Sequence, residues 1–251
     1  MAGRTKPATG TPRGAGWIRR RIEGGGERLW RFDDFLDVPV STVAQTLSRL
    51  ASTGQLQRLS KGVYYRPRKT VLGTSRPNPA AIRELANSHG KFVFPSGIAA
   101  ANLLGFTTQS ACRSEVATCG FRLPRKLLGS DTVVHTRRPE AWQGLTDTDA
   151  ALLDFLRRAG RTSELSPEET IKRTLELCRE GERFKRLLGV AASEPPRVRA
   201  MLGAIGAQLG KEREVLRNLR GSLNPVSRFD FGMLHGLAHK GDWQAKRRMT
   251  A

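Results

Sequence analysis

The chain has 251 residues, 38% of them hydrophobic, with 43 Lys+Arg against 23 Asp+Glu and a formal net charge of +20. This length accommodates one large domain or two of ordinary size, and a field of that sign attracts polyanions, of which nucleic acid is the commonest partner of a basic protein. No apolar run approaches the ~20 residues of a membrane-spanning helix, and the basic N-terminus MAGRTKPATGTPRGAG lacks the apolar stretch of a secretory signal.

Residues 1–14, rich in Pro, Gly, Thr and basic side chains, read as a flexible basic arm. A short helix is expected over 15–23, stopped by Gly24-Gly25-Gly26, and it carries Arg19, Arg20 and Arg21 as candidate phosphate contacts. Phe32-Asp33-Asp34-Phe35-Leu36 reads as a short amphipathic turn of helix crossing behind the next one. In that next helix, residues 41–54, Val40, Val43, Leu47 and Leu50 recur at helical spacing, with Ser41 as N-cap and Gly54 as stop. The opposite face presents Thr42, Gln45, Thr46, Arg49 and Ser52 with no acid among them. A base-reading helix needs such a face, because acids are repelled by phosphates, while Gln pairs with adenine and Arg with guanine in the major groove.

Leu56 and Leu59, then Val63 and Tyr65, predict two alternating strands turned at Ser60-Lys61-Gly62. The hairpin reads as a wing offering Arg58, Lys61, Arg66 and Arg68 to phosphates or the minor groove. Residues 15–70 therefore read as a winged helix-turn-helix DNA-binding domain. The first seventy residues hold 14 basic and 5 acidic side chains, a net +9, which leaves +11 for the other 181.

PRKTVLGTSRPNP reads as a linker, and residues 78–251 as a larger, mixed α/β and mostly helical C-terminal domain, an α+β fold overall. In order, the patterns predict a helix over 78–89, a strand over 91–94, and a small-residue helix from Ser96 to Gly105. Strands near 115–119, 122–127 and 132–136 come next. Beyond Thr146 the pattern is helical, with Ser166-Pro167-Glu168-Glu169 a complete capping box and further helices over 196–209 and 213–219. Arg122, Arg125, Lys126, Arg137, Arg138, Arg197 and Arg199 form a candidate second basic patch for DNA or RNA, weighed against scattered surface arginine.

Enzymatic readings are set aside. Gly129-Ser130 before Asp147-Thr148-Asp149 superficially matches a nucleotidyltransferase, but TDTDAALLDFL reads as a capped helix start with acids in its first turn. His235 and His239 lie four apart without the Glu of a metalloprotease helix, and no phosphate loop or nucleophile elbow is present. Gly203, Ala204, Gly206, Ala207 and Gly210 mark tight core packing. Cys112, Cys119 and Cys178 lack paired CxxC spacing, which suits a reducing cytoplasm and free thiols. No catalytic residue, metal or cofactor is expected.

The run TVAQTLSRLASTGQLQRLSKGVYYRP, followed by PSGIAAANLLGFTTQ and later by EPPRVRAMLGAIGAQLG and LRGSLNPVSRFDFG, resembles AbiEi-type antitoxins, the transcriptional regulators of bacterial type IV toxin–antitoxin systems. The resemblance implies a repressor that binds inverted repeats of double-stranded DNA in its own promoter. It also implies a C-terminal domain that counteracts a nucleotidyltransferase-like toxin without requiring a stable complex. On it, Thr42, Gln45, Thr46 and Arg49 would face bases, and Lys61 and Arg66 would serve the wing. The alternative left by the residues alone is a basic RNA- or protein-binding adaptor that uses the winged helix as a scaffold and has no toxin partner.

Overall fold

The computed structural model describes residues 14–71, 73–75, 77, 92–109, 111, 113–119 and 132–247. The chain divides into two compact units, residues 1–85 with 124–130, and residues 86–123 with 131–251. Its architecture is mixed α/β, with helices and small sheets in both units. No helix among the described residues is long and apolar enough to cross a membrane.

In the first unit, α1 (Ala15–Gly24) buries Ile18 and Ile22, one turn apart. Strand β1 (Leu29–Arg31) follows; the sequence patterns did not predict it. A 3-10 turn, Phe32–Phe35, is fixed at its start by Asp34. That carboxylate accepts the Arg31 backbone N–H at 2.7 Å and an Arg28 guanidinium N–H at 2.8 Å.

Helix α2 (Val40–Ser52) buries Val43, Thr46, Leu47 and Leu50, the i, i+3, i+4, i+7 stripe of a helix seated on a core. It is capped by Pro39 rather than Ser41, because helical bonding already begins with Val43 N–H donating to the Pro39 carbonyl. Val40 consequently falls in the first turn and is 66% exposed, outside the stripe expected to hold it. The stop is as expected: Gly54 adopts φ +74, and the Gln55 N–H turns back to the Leu50 carbonyl.

Strands β2 (Gln57–Ser60) and β3 (Val63–Tyr65) form the expected antiparallel hairpin, and β3 pairs on its other edge with β1, giving the order β1–β3–β2. All three β3 side chains are buried, so alternation shows in direction and not in exposure. Tyr64 joins the core of Ile18, Trp30, Phe35, Val43, Leu47 and Leu56. Val63 and Tyr65 form a separate cluster with Leu59 on the other face. A short ladder of β4 (Lys69–Thr70) and β5 (Gly73–Thr74) follows.

In the second unit, β6 (Val93–Pro95), β7 (Glu115–Thr118) and β8 (Val133–His135) make a sheet ordered as numbered, antiparallel then parallel. Helices α3 (Gly97–Leu103), α4 (Asp147–Arg157), α5 (Pro167–Arg179), α6 (Arg183–Val190), α7 (Pro196–Gln208) and α8 (Arg213–Gly221) complete it. One continuous apolar core runs through this unit, with Phe106 and Phe155 stacked at 3.9 Å. The helix of 78–89 and the strand near 122–127 lie outside the described residues.

Local signals hold well here. Thr146 caps α4 by accepting the Asp149 N–H, and Ser166 and Glu169 close the capping box of α5. Asp147 and Asp149 thus open a helix, and Asp149, fully buried, is paired with Arg183 and Arg186. The small residues of α7 are packing sites: a Cβ on Gly203 would lie 2.1 Å from the Trp243 ring, and one on Gly206 would meet Leu216 and Phe184. The tail is a series of turns tied back by Phe229 N–H to the Gln244 carbonyl and Lys246 N–H to the Phe229 carbonyl. His235 and His239 therefore do not share a helix face; they follow a 3-10 turn, Gly232–Leu234.

Candidate nucleic-acid interface

The outer face of α2 is built by elimination. Once Val43, Thr46, Leu47 and Leu50 turn inward, Ser41, Gln45, Ser48, Arg49 and Ser52 remain exposed, and Thr42 is half-buried. Thr46, expected among the base-facing residues, is instead 4% exposed. It lies three residues after Val43 and four before Leu50, so its position assigns it to the core despite its hydroxyl. Ser48, not among the residues expected to face bases, lies on the outer face as well, three residues from Gln45. Ser52 already donates to the Arg49 carbonyl at 2.8 Å, as helix-end serines do.

No acid interrupts this face, and Asp34 in the preceding 3-10 turn is paired with Arg28 at 2.8 Å. Leu36 and Val40, 86% and 66% exposed, flank the entry to α2. Arg58 and Lys61 are exposed on the hairpin, with Lys61 in its turn beside Gly62 at φ +76. Arg19, Arg20 and Arg21 are all exposed on α1, and Arg21 lies over the Trp17 ring at 5.1 Å.

Arg66 does not project as a wing contact. Its Nη1 donates to the carbonyls of Ile22, at 2.6 Å, and Glu23. These carbonyls close α1 and have no helical partner of their own, so an arginine here satisfies them and favours the negative end of the helix dipole. Arg68 is exposed, held by its backbone N–H to Ser75 Oγ at 2.7 Å. Ser75 Oγ also lies 2.9 Å from the Tyr65 hydroxyl, which bonds Glu27. The Tyr65 bond, then the Ser75 one, hold the Glu27 carboxyl below its ordinary range.

The second basic patch assembles only in part. Arg122, Arg125 and Lys126 lie outside the described residues, and Arg137 is exposed. Arg138 and Arg197 do meet, on one cavity shared with His135, Arg157 and Arg158, which the sequence reading did not single out. Arg199 turns elsewhere and donates to the Ser222 carbonyl at 3.1 Å. Two residues apart on a helix means about 200° of rotation, so Arg197 and Arg199 cannot serve one site. Among the described residues, no group of three or more His, Cys, Asp or Glu is placed to hold a metal ion.

A family model described as a family of unknown function (DUF6088) matches residues 24–127, under half of the chain. Among solved structures, the chain is similar to that of the RV2827C protein from Mycobacterium tuberculosis, with 14% identity, 90% of this chain and 88% of that one covered, and a TM-score of 0.49. No curated protein matches.

Proposed function

We propose that the chain is a sequence-specific duplex-DNA-binding protein whose first unit is a winged helix-turn-helix, with α2 entering the major groove and the β2–β3 hairpin as wing. One observation carries this reading: the exposed face of α2 is continuous, polar and free of acids, and it presents Gln45 and Arg49, the side-chain types that pair bidentately with adenine and guanine. Arg58, Lys61 and the exposed arginines of α1 supply phosphate contacts that orient the helix. The role is binding rather than catalysis. Repression of its own promoter as the antitoxin of a type IV system, in the cytoplasm and opposite a nucleotidyltransferase-like toxin, rests on the sequence resemblance alone.

The test is a titration of the full chain against its own upstream DNA and a scrambled duplex, beside Arg49→Ala and Gln45→Ala. A specific regulator keeps a preference of about 10³ or more for its site, and both variants should erode it. Equal affinity for the two duplexes, unmoved by either substitution, would reduce the protein to a non-specific polyanion binder.

A further inference from the structure

The second unit holds a cavity of about 300 Å³ lined by His135, Arg138, Asp154, Arg157, Arg158 and Arg197. Four guanidinium groups repel one another, and their gathering needs a cause. Two buried carboxylates supply part of it. Asp154, its side chain 1% exposed, accepts from Ser96 Oγ at 2.9 Å, Gly97 N–H at 2.9 Å, Arg158 Nε at 3.1 Å and Arg138 Nη2 at 2.7 Å. Glu194, fully buried, accepts from Trp142 Nε1 at 2.7 Å and from Arg157 through Nε at 2.7 Å and Nη2 at 3.1 Å. Arg158 reaches on to Glu115 at 2.7 Å, beside His135 at 2.9 Å from the same oxygen.

Donors remain after these bonds are made. A guanidinium carries five N–H groups. Arg138 Nε is buried with no hydrogen-bond partner. Arg197, in the first turn of α7, gives Nη2 to the Arg157 carbonyl. Arg138, Arg157, Arg158 and Arg197 outnumber the carboxylates of Asp154, Glu194 and Glu115 by one, and Asp230, whose carboxyl also feels Arg197, is itself bonded to Arg161. Burial, with Arg157 close by, pushes the Arg138 pKa down although Asp154 opposes it. Arg138 and Arg157 both lie over the Trp142 ring, at 5.5 and 5.3 Å. Arg157, Arg158 and Arg197 line the cavity with more guanidinium N–H groups than these bonds use, and an anion with several oxygens would take them.

We propose that this cavity binds a terminal phosphate, the phosphomonoester group of a compact ligand or of a nucleic-acid end. A tetrahedral phosphate offers three oxygens to donors converging from different sides, which a planar carboxylate cannot do. The recess disfavours a backbone diester, whose phosphate is flanked by sugars on both sides and cannot enter end-on. The volume is at the small end of ligand pockets, so the phosphate carries only a compact group into the site. This site is independent of the DNA-reading face of α2, and either assignment can fail without the other.

The test is calorimetric titration of the full chain at constant ionic strength with inorganic phosphate, a nucleoside 5′-monophosphate and the unphosphorylated nucleoside. Saturable one-to-one binding of the first two and none of the third is expected. A 5′-phosphorylated short single strand, compared with its 5′-hydroxyl form, distinguishes a nucleic-acid end from a free small molecule as the source. Arg197→Gln should weaken phosphate binding about tenfold or more, the worth of a charge-assisted hydrogen bond. Arg197→Lys, which keeps the charge and the surface character of the residue, should fall between it and the wild type. Thermal melts without ligand verify that both variants are folded. Non-saturable heats with phosphate, or equal affinity in wild type, Arg197→Lys and Arg197→Gln, would overturn the assignment.

Discussion

The backbone N–H of Gly97 donates to the carboxylate of Asp154 at 2.9 Å, joining the start of α3 to α4 across 57 residues of chain. Gly97 adopts φ +60, and a Cβ there would lie 2.5 Å from the Glu115 carboxylate. Gly97→Ala therefore meets backbone strain and a steric clash at once. A loss of about 1–3 kcal/mol in urea unfolding of the full chain is expected. An unchanged midpoint would mean that Glu115 moves aside freely and that the network around Asp154 is looser than its distances imply.

Arg66 and Lys61 test whether a basic residue of the hairpin serves the fold or the proposed DNA contact. Lys61→Ala should leave the melting temperature unmoved and flatten the salt dependence of DNA binding by about 0.9 in log K per log salt, one phosphate contact. Arg66→Ala should instead lower stability by about 1–3 kcal/mol, because the carbonyls of Ile22 and Glu23 lose their donor. The reverse pattern would return Arg66 to the wing and take Lys61 out of the interface.

Thr46→Val offers a third check on α2. With Thr46 buried beside Val43, Leu47 and Leu50, the substitution keeps the shape of the side chain and should leave DNA affinity within about twofold of wild type, a few tenths of a kcal/mol. Gln45→Ala, on the exposed face, should cost about 1–3 kcal/mol of discrimination at one base pair. Loss of specific binding in folded Thr46→Val would place this residue against DNA after all.

Acid should unfold the protein through its second unit. For Asp149 and Asp154, burial alone would raise the carboxyl pKa. The Arg186 bond and Thr146 cap on Asp149 outweigh burial there, and the Gly97 N–H with Arg158 and Arg138 outweigh it on Asp154, so both stay below the ordinary 3.8. Asp230 is held low chiefly by the Gly232 N–H. Folded carboxyls with depressed pKa contribute stability that is present above the unfolded value and lost as pH falls through the folded one. Urea unfolding free energy should therefore hold between about pH 7 and 5 and decline below about pH 4. A flat profile down to about pH 3 would contradict the assigned pairs.

Thiol chemistry should be slow at Cys119 and Cys178 in the native protein. Burial pushes the Cys178 thiol up to about 12, and burial with Glu140 nearby raises Cys119 as well. Only the thiolate is nucleophilic. At about pH 8, iodoacetamide followed by peptide mapping should find Cys178 essentially unmodified until denaturant is added. Rapid native labelling of Cys178 would show that α5 opens locally.

Much of this protein was legible in the sequence because the signals are local. The helical spacing of Val43, Leu47 and Leu50, the Gly54 stop, the Thr146 and Ser166 caps and the Ser60-Lys61-Gly62 turn each act within a few residues, and the structure bears them out. Position outweighs side-chain chemistry at Thr46, whose spacing buries it despite its hydroxyl, and at Ser41, a good cap residue that follows a helix already opened by Pro39.

The tertiary structure decided which arginines act together. Arg66 turned inward because the end of α1 comes within reach of the hairpin, a contact across 44 residues. Strand β1 exists because β3 has a free edge for it, a pairing that three residues of sequence do not announce. Arg138, Arg157 and Arg158 converge because Asp154 and Glu194 are buried between distant segments and must be neutralised there, and Arg197 joins them through the Arg157 carbonyl. Net charge and periodicity belong to the sequence by itself. Convergence belongs to the fold, since the cost of burying a carboxylate depends on which segments enclose it and is met by whichever cations those segments bring.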